Sequence, residues 1–240
     1  HWVLTQIGAT LVALAVSWHG LALFALWRRA ESKRFRPVVA AYVASAFFLA
    51  VGATLGSFLA THPSHPRLLI AHVAANIGGF VGLAAAGSLT ILFPSIWRTK
   101  GINPHMSLSF TLLALGVVTT VIGSAWNVPQ AGLIVYCLGW ALSLQSWLLN
   151  ALSVFREPRG RITFPALSVL FSSFWLLGSL VYYTTQHFFS SEPQIPMLAL
   201  VVGFGAQLLI GVMGYMLPTT MGGGPSAVRA GLREYNRWGL

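Results

Sequence analysis

The run between Arg67 and Arg98 constrains the fold more than any other part of the sequence. These two arginines enclose positions 68–97, which contain no charged side chain. A helix rises about 1.5 Å per residue, and about 20 apolar residues cross the hydrocarbon core of a bilayer. The run is therefore long enough to span a membrane. Its surplus length predicts a helix that tilts or that projects beyond the lipid at one end.

Composition extends this interpretation to the whole chain of 240 residues. Hydrophobic residues make up 56% of the sequence and charged residues only 8%, and the mean hydropathy is +0.74. A soluble domain of this size could not bury so much apolar surface. No strand-like alternation occurs, so we predict an all-α, polytopic membrane helix bundle of about seven transmembrane helices. The apolar runs are 2–27, 37–61, 67–97, 106–125, 129–155, 163–188 and 195–220.

The loops differ sharply in their content of Lys and Arg. Alternate connections hold 13 basic residues, while the other set holds only Arg67. The positive-inside rule therefore predicts that the N-terminus is outside and the C-terminus cytoplasmic. The 13 basic residues are Arg28, Arg29, Lys33, Arg34, Arg36, Arg98, Lys100, Arg156, Arg159, Arg161, Arg229, Arg233 and Arg237.

We divide the chain into a transmembrane bundle over 1–221 and a cytoplasmic amphipathic tail or linker over 222–240. The tail begins with a Gly-rich turn and continues as a basic amphipathic run, which favours a location on the anionic membrane surface. The chain starts at His1 rather than at Met. We therefore expect it to be part of a longer or processed protein.

Several classes of function lack the residues that they need. The basic side chains form no stripe with interleaved aromatics, which argues against a nucleic-acid partner. The four acidic residues are glutamates in loops or the tail, and ion-coupled transporters normally place carboxylates at membrane depth. The sequence has no Gly-rich phosphate loop, no HExxH and no Ser-His-Asp set. The sequence has a single cysteine, Cys137, and one cysteine is too few for a Cys-based metal motif.

The long uncharged run carries two faces of different character. Small residues recur at every fourth position and predict close approach of a neighbouring helix; they are Ala74, Gly78, Gly82, Ala86 and Thr90. His72 and Asn76 lie one turn apart, roughly opposite this stripe. Because polar groups inside a membrane are costly without partners, these two are the first functional candidates.

The predicted topology places five of the seven histidines toward the outer side. Imidazole is a common ligand of copper and of haem iron, so His62, His65 and His72 are candidate metal ligands. His187, at the end of the sixth run, is a further candidate for cofactor binding, with Asn76 orienting His72. His19 could act as a second axial ligand deeper in the bundle. The alternative is that His62, His65 and His187 are solvated or interfacial and that His19 bonds a neighbouring helix.

Two further patterns leave alternatives open. Met213, Met216 and Met221 could relay copper, although gap-filling by Met is commoner. The fifth run carries a polar and aromatic stripe that could line a flat cofactor or a quinone, or simply pack against other helices; its members are Tyr136, Trp140, Ser143, Trp147 and Asn150. Gln207 lies between Gly203 and Gly211 in the seventh run and needs a hydrogen-bond partner.

Three segments carry a resemblance to a known family. WHGLALFALWRRA (18–30), AHVAANIGGFVGLAAAGSLTILFPSIWRTK (71–100) and FGAQLLIGVMGYMLPTTMGGGPSAVRAG (204–231) resemble the membrane region of actinobacterial multicopper-oxidase-type proteins. In that family the membrane region precedes cupredoxin domains like those of copper nitrite reductases. The region is more distantly similar to NnrS proteins and to the bundle of haem-copper oxidase subunit I. The resemblance extends to His72, Asn76, Arg98, Gln207 and the GGGP turn at 222–225.

This resemblance implies a redox setting in a bacterial plasma membrane. The chain lacks the clustered histidines of haem-copper oxidases and the Cys-His-Met set of a cupredoxin, so oxidase chemistry would lie elsewhere. We expect a redox-associated domain that binds haem or copper near the outer leaflet and passes electrons or copper to an extracellular cupredoxin domain. It would thus be an oxidoreductase component, if part of an enzyme at all. The alternatives are a cofactor-free structural or assembly subunit among respiratory-complex subunits, and a copper carrier.

Overall fold

A computed structural model describes residues 2–29, 35–101, 103–156, 162–190, 192–221 and 224–236. Eight helices and short connections account for these residues, and no strand occurs among them. Seven of the helices are long and apolar enough to cross a membrane. The predicted all-α architecture of a multi-pass membrane protein is confirmed. The helices are α1 (Trp2–Arg29), α2 (Arg36–Thr61), α3 (Pro66–Ile96), α4 (Met106–Ala125), α5 (Gln130–Phe155), α6 (Phe164–Phe189), α7 (Ala199–Thr220) and α8 (Gly224–Asn236).

Proline marks the beginning of three helices. Pro37, Pro66 and Pro165 each occupy the first or second position of α2, α3 and α6. Proline suits these positions because the first N–H groups of a helix have no intrahelical acceptor. The side chain of Thr163 also accepts a hydrogen bond of 3.3 Å from the N–H of Ala166. The breakers in the sequence therefore place the helix boundaries close to the observed ones.

Two of the spanning helices contain a π-helical segment, which periodicity does not predict. In α3 it covers Ala74–Gly82, directly after the turn that carries His72. In α7 it covers Ala199–Ala206 and ends immediately before Gln207. A π turn bonds residue i to i+5; such turns are rare in proteins and frequently occur at functional sites. Both segments therefore adjoin a polar side chain that the sequence marks as a candidate.

The chain divides into two compact units, each considered separately below. The first unit runs from α1 to Leu89 and includes His105–Leu142. Within it α1 packs on α2, and α2 packs on the first half of α3 and on α4. Gly20 is the one buried residue of α1. Its hydrogen faces Ala46, so α1 and α2 pack closely at this point, while most other residues of α1 are exposed.

Glycines bring α4 and α5 together within the first unit. A methyl group on Gly116 would lie 2.6 Å from the backbone nitrogen of Tyr136, and one on Gly139 would lie 2.9 Å from the backbone nitrogen of Leu113. The connection between the helices uses Asn127 at φ 61°, a left-handed conformation that Asn tolerates better than most residues. The two helices therefore form a tight antiparallel pair.

The second unit comprises Thr90–Pro104 and the chain from Ser143 onwards. Aromatic rings join the end of α3 to the end of α5: Phe93 stacks on Trp147 at 5.6 Å, and Trp97 meets Phe155 edge-on at 5.7 Å. Thr99 donates a hydrogen bond of 2.8 Å to Oδ1 of Asn150. These contacts form the buried centre of the second unit.

The C-terminal helix α8 folds back onto the second unit. A methyl group on Gly231 would lie 2.8 Å from Cβ of Pro218 in α7. The N–H of Phe164 donates to Oδ1 of Asn236 at 3.0 Å, which joins the end of α8 to the start of α6. Arg229 and Arg233 are exposed. The division at 222 stays a prediction, and residues 222–223 and 237–240 lie outside the described residues.

Candidate ligand-binding histidine on α3

His72 and Asn76 lie against two glycines of α2. A methyl group on Gly56 would lie 2.7 Å from Cε1 of His72, and one on Gly52 would overlap the amide of Asn76. Gly52 and Gly56 are one turn apart, as are His72 and Asn76, so two pairs of the same spacing face each other. Only glycine leaves room for both polar side chains here.

The ring of His72 is fixed by a backbone carbonyl. Its Nδ1 lies 2.9 Å from the carbonyl oxygen of Gly52. A carbonyl oxygen can only accept, so Nδ1 carries the proton in this bond and, in the neutral ring, Nε2 keeps its lone pair. Nε2 has no hydrogen-bond partner among the described residues, and it is not fully buried. The half-buried His72 therefore presents a nitrogen of the kind that binds metals.

Asn76 forms a side-chain hydrogen bond within the same turn of α3. Its Nδ2 donates to the backbone carbonyl of His72 at 3.0 Å. The same Nδ2 lies 3.2 Å from Nδ1 of His72, but two donors do not bond each other, so this approach is a packing contact while Nδ1 donates to Gly52. Asn76 therefore holds the helix that carries the imidazole, and it does not bond the ring.

The other side of α3 contacts α4 and α5. The hydroxyl of Tyr136 donates to the carbonyl of Gly78 at 2.9 Å. A methyl group on Gly82 would overlap that hydroxyl, and one on Gly78 would lie 3.3 Å from Cγ2 of Val117. The small-residue face thus allows close contact, as predicted, although it receives side chains rather than a helix backbone.

The two loop histidines are exposed. Nδ1 of His62 lies 2.9 Å from Oγ1 of Thr61 and 3.2 Å from the carbonyl of Phe58, both on the last turn of α2. His65 precedes the first residue of α3. Within the described ranges no three His, Cys, Asp or Glu side chains form a group that could hold a metal ion. His62, His65 and His72 are thus not gathered into a three-ligand centre.

The remaining candidate histidines occupy different surroundings. His19 is exposed on α1 and not enclosed by the first unit, although we predicted a place deeper in the bundle. His187 belongs to the second unit, where it is half-buried at the end of α6. Its ring meets that of Tyr183 edge-on, with centroids 4.8 Å apart.

The aromatic stripe of α5 is packed inside the protein. Every member is at most 7% exposed. In the first unit Tyr136 meets Trp140 edge-on at 6.4 Å, and in the second unit Trp147 stacks on Phe93. Packing against other helices, one of the two alternatives for this stripe, is therefore what the structure contains. Met213 and Met221 are exposed.

Two features of the site escaped prediction from the sequence. The glycines that receive His72 and Asn76 are visible as a G-x-x-x-G pattern at 52–56, a known signal of close helix packing in membranes. The π-helical segment leaves no recognisable pattern. The chain matches no family model, no curated protein and no solved structure. Its resemblance to the multicopper-oxidase-type membrane region stays a prediction.

Proposed function

We propose that the chain is a redox-associated membrane domain in which the imidazole of His72 would bind haem. The supporting observation is the hydrogen bond of 2.9 Å between Nδ1 of His72 and the carbonyl of Gly52. Ligating histidines commonly donate their other ring N–H to a carbonyl, which fixes the ring and its tautomer. This bond directs the lone pair to Nε2, the atom that would bind iron.

The donor set favours haem over a copper ion. Copper sites in proteins are built from several side chains, and no suitable group of three forms within the part of the chain that the structure describes. Haem brings four of its own nitrogen ligands and needs only one or two from the protein. Single ligation by His72 is therefore sufficient, and a second protein ligand from His62 or His65 of the same unit remains part of the proposal.

When bound, haem would supply reversible one-electron transfer. The chain's own residues would orient the ligand: the Gly52 carbonyl holds Nδ1–H, and Asn76 holds the backbone of the same turn. The resemblance suggests an extracellular cupredoxin domain as the electron acceptor. Under the predicted topology, the N-terminal end of α3 that carries His72 faces that side of the membrane.

A second candidate is a cofactor-free structural or assembly subunit. The observation in its favour is that each hydrogen bond of His72 and Asn76 ends within the chain itself. In this function the pair joins α3 to α2, since interhelical hydrogen bonds contribute about 0.6 to 2 kcal/mol in membranes. The two candidates differ in what Nε2 does, because the structural function leaves that nitrogen unused.

An absorption spectrum of the purified protein, reduced minus oxidised, tests the first proposal. We expect a haem spectrum from the wild type and its loss in His72→Gln, whose polar side chain is of similar length but offers no imidazole nitrogen. Exposed His105→Gln, a residue not assigned to the site, is the matched control and should retain the spectrum.

The structural candidate makes the opposite prediction for these proteins. A wild type without haem or metal after expression with haem supplementation would overturn the redox proposal. The same conclusion would follow if His72→Gln kept the wild-type spectrum. Thermal unfolding of both variants confirms that the comparison involves folded protein.

A further inference from the structure

Helices α6 and α7 of the second unit, with the residues that precede α7, border an open cleft of about 780 Å³. This volume lies within the range of about 300–1,000 Å³ that is usual for small-molecule sites. The lining is largely apolar, and Ser168, Trp175 and Gln207 are the polar side chains on it. Few polar groups on an apolar wall are typical of a site that orients a lipophilic ligand.

Gln207 lies deep in the membrane and lacks a partner. It is the ninth residue of α7 and directly follows the π-helical segment Ala199–Ala206, so it lies well inside the apolar span. The side chain is half-buried, and its amide makes no hydrogen bond within the described residues. An amide at this depth is costly unless a partner enters the cleft.

Trp175 adds a flat wall beside this amide. A methyl group on Gly203 would lie 2.6 Å from Cγ of Trp175, so the indole rests directly on the backbone of α7. The side chain of Trp175 is 52% exposed, which leaves ring surface available to a ligand. Aromatic rings stack on other flat rings in offset or edge-on arrangements.

We propose that this cleft binds a lipophilic molecule of the quinone class. Such a molecule combines an apolar tail for the lining, a flat ring for Trp175 and a carbonyl or hydroxyl group for Gln207. Acyl chains fill apolar clefts but offer nothing to an amide. Phospholipid head groups and glycerol esters lie at the membrane boundary, which is eight residues of α7 away from Gln207 if α7 begins there.

The proposal concerns binding alone and does not rest on haem at His72. Every residue that supports it belongs to the second unit, and His72 belongs to the first. Failure of one proposal therefore leaves the other standing. Loss of the haem spectrum in His72→Gln would not alter quinone binding, and loss of quinone binding in a Gln207 variant would not alter the haem spectrum.

Fluorescence quenching by decylubiquinone in phosphatidylcholine nanodiscs tests the proposal. We expect a saturable component in the wild type, above the linear quenching by quinone dissolved in the lipid. Most of that component should disappear in Trp175→Phe. Gln207→Leu should raise the apparent Kd about tenfold, which corresponds to the loss of one hydrogen bond in an apolar site.

Two glycines two residues apart provide a matched pair of controls. Gly203→Ala should weaken binding because the methyl group displaces the indole, whereas Gly205→Ala, whose nearest neighbour would be the Leu200 carbonyl at 3.4 Å, should bind like the wild type. Thermal unfolding checks each variant, and Gln207→Met replaces Gln207→Leu if the latter fails to fold. Absence of a saturable component, or wild-type affinity in the folded Gln207 variant, would assign the cleft to acyl chains and overturn the proposal.

Discussion

Two glycines of α2 decide whether an imidazole and an amide can occupy the interior of the first unit. Gly52 and Gly56 receive Asn76 and His72 with no space left for a methyl group. The sequence identifies the polar pair, because such residues are conspicuous in an uncharged run. It does not identify the helix that receives them. Helix pairing depends on the contacts of the whole bundle, which a single segment does not encode.

We expect Gly56→Ala to destabilise the protein by about 1–3 kcal/mol, the usual range for an added methyl group in a packed interior. The methyl group would lie 2.7 Å from Cε1 of His72, so the ring would have to leave the Gly52 carbonyl. Gly8→Ala is the control within the same unit, because its methyl group would meet nothing within 4 Å. Thermal unfolding in detergent measures both. Equal melting temperatures would show that the close packing at Gly56 does not hold the ring.

Among the elements, α3 departs most from what its sequence predicts. Its position along the chain follows from hydropathy, yet the π-helical segment at Ala74–Gly82 does not. In an α-helix four residues exceed one turn slightly, whereas in the wider π turn they fall short of it. Gly78 and Gly82 both lie within this π-helical segment, and both face Tyr136. A repeat of every fourth small residue is therefore compatible with this bulge, but it also occurs in ordinary close-packed helices.

A double-mutant cycle between α3 and α5 tests this arrangement. Tyr136→Phe removes the hydrogen bond to the Gly78 carbonyl and should cost about 0.6–1.5 kcal/mol. Gly82→Ala should cost more, because its methyl group overlaps the Tyr136 hydroxyl. Removing that hydroxyl makes room for the methyl group, so the double variant should be more stable than the sum of the single effects predicts. Tyr215→Phe serves as the control, because no hydrogen bond of its hydroxyl exists among the described residues. Additive losses would contradict the packing of Tyr136 on Gly82.

For the whole molecule, length and hydropathy are sufficient to predict seven spans, and each observed helix begins and ends within about four residues of its predicted run. The positions of side chains are harder to predict: His19, which we considered as a ligand deeper in the bundle, is exposed. The orientation in the membrane rests on 13 basic residues against one. That one exception, Arg67, donates a hydrogen bond of 3.2 Å to the carbonyl of Ala125 at the C-terminal end of α4. A cation there is favourable whichever side of the membrane it faces.

Single-cysteine labelling tests the orientation directly. In a Cys137→Ala background, Ser64→Cys lies in the loop between α2 and α3, and Lys100→Cys lies beyond the end of α3; both positions are exposed. Because the basic connections belong on the cytoplasmic side, a membrane-impermeant maleimide should label Ser64→Cys in intact cells and Lys100→Cys only after permeabilisation. Arg67→Ala should leave this pattern unchanged, since the 13 other basic residues set it, while lowering the melting temperature through loss of the bond to Ala125. The reverse labelling pattern would invert the topology and place His72 near the cytoplasmic side, where it could not donate electrons to an extracellular domain.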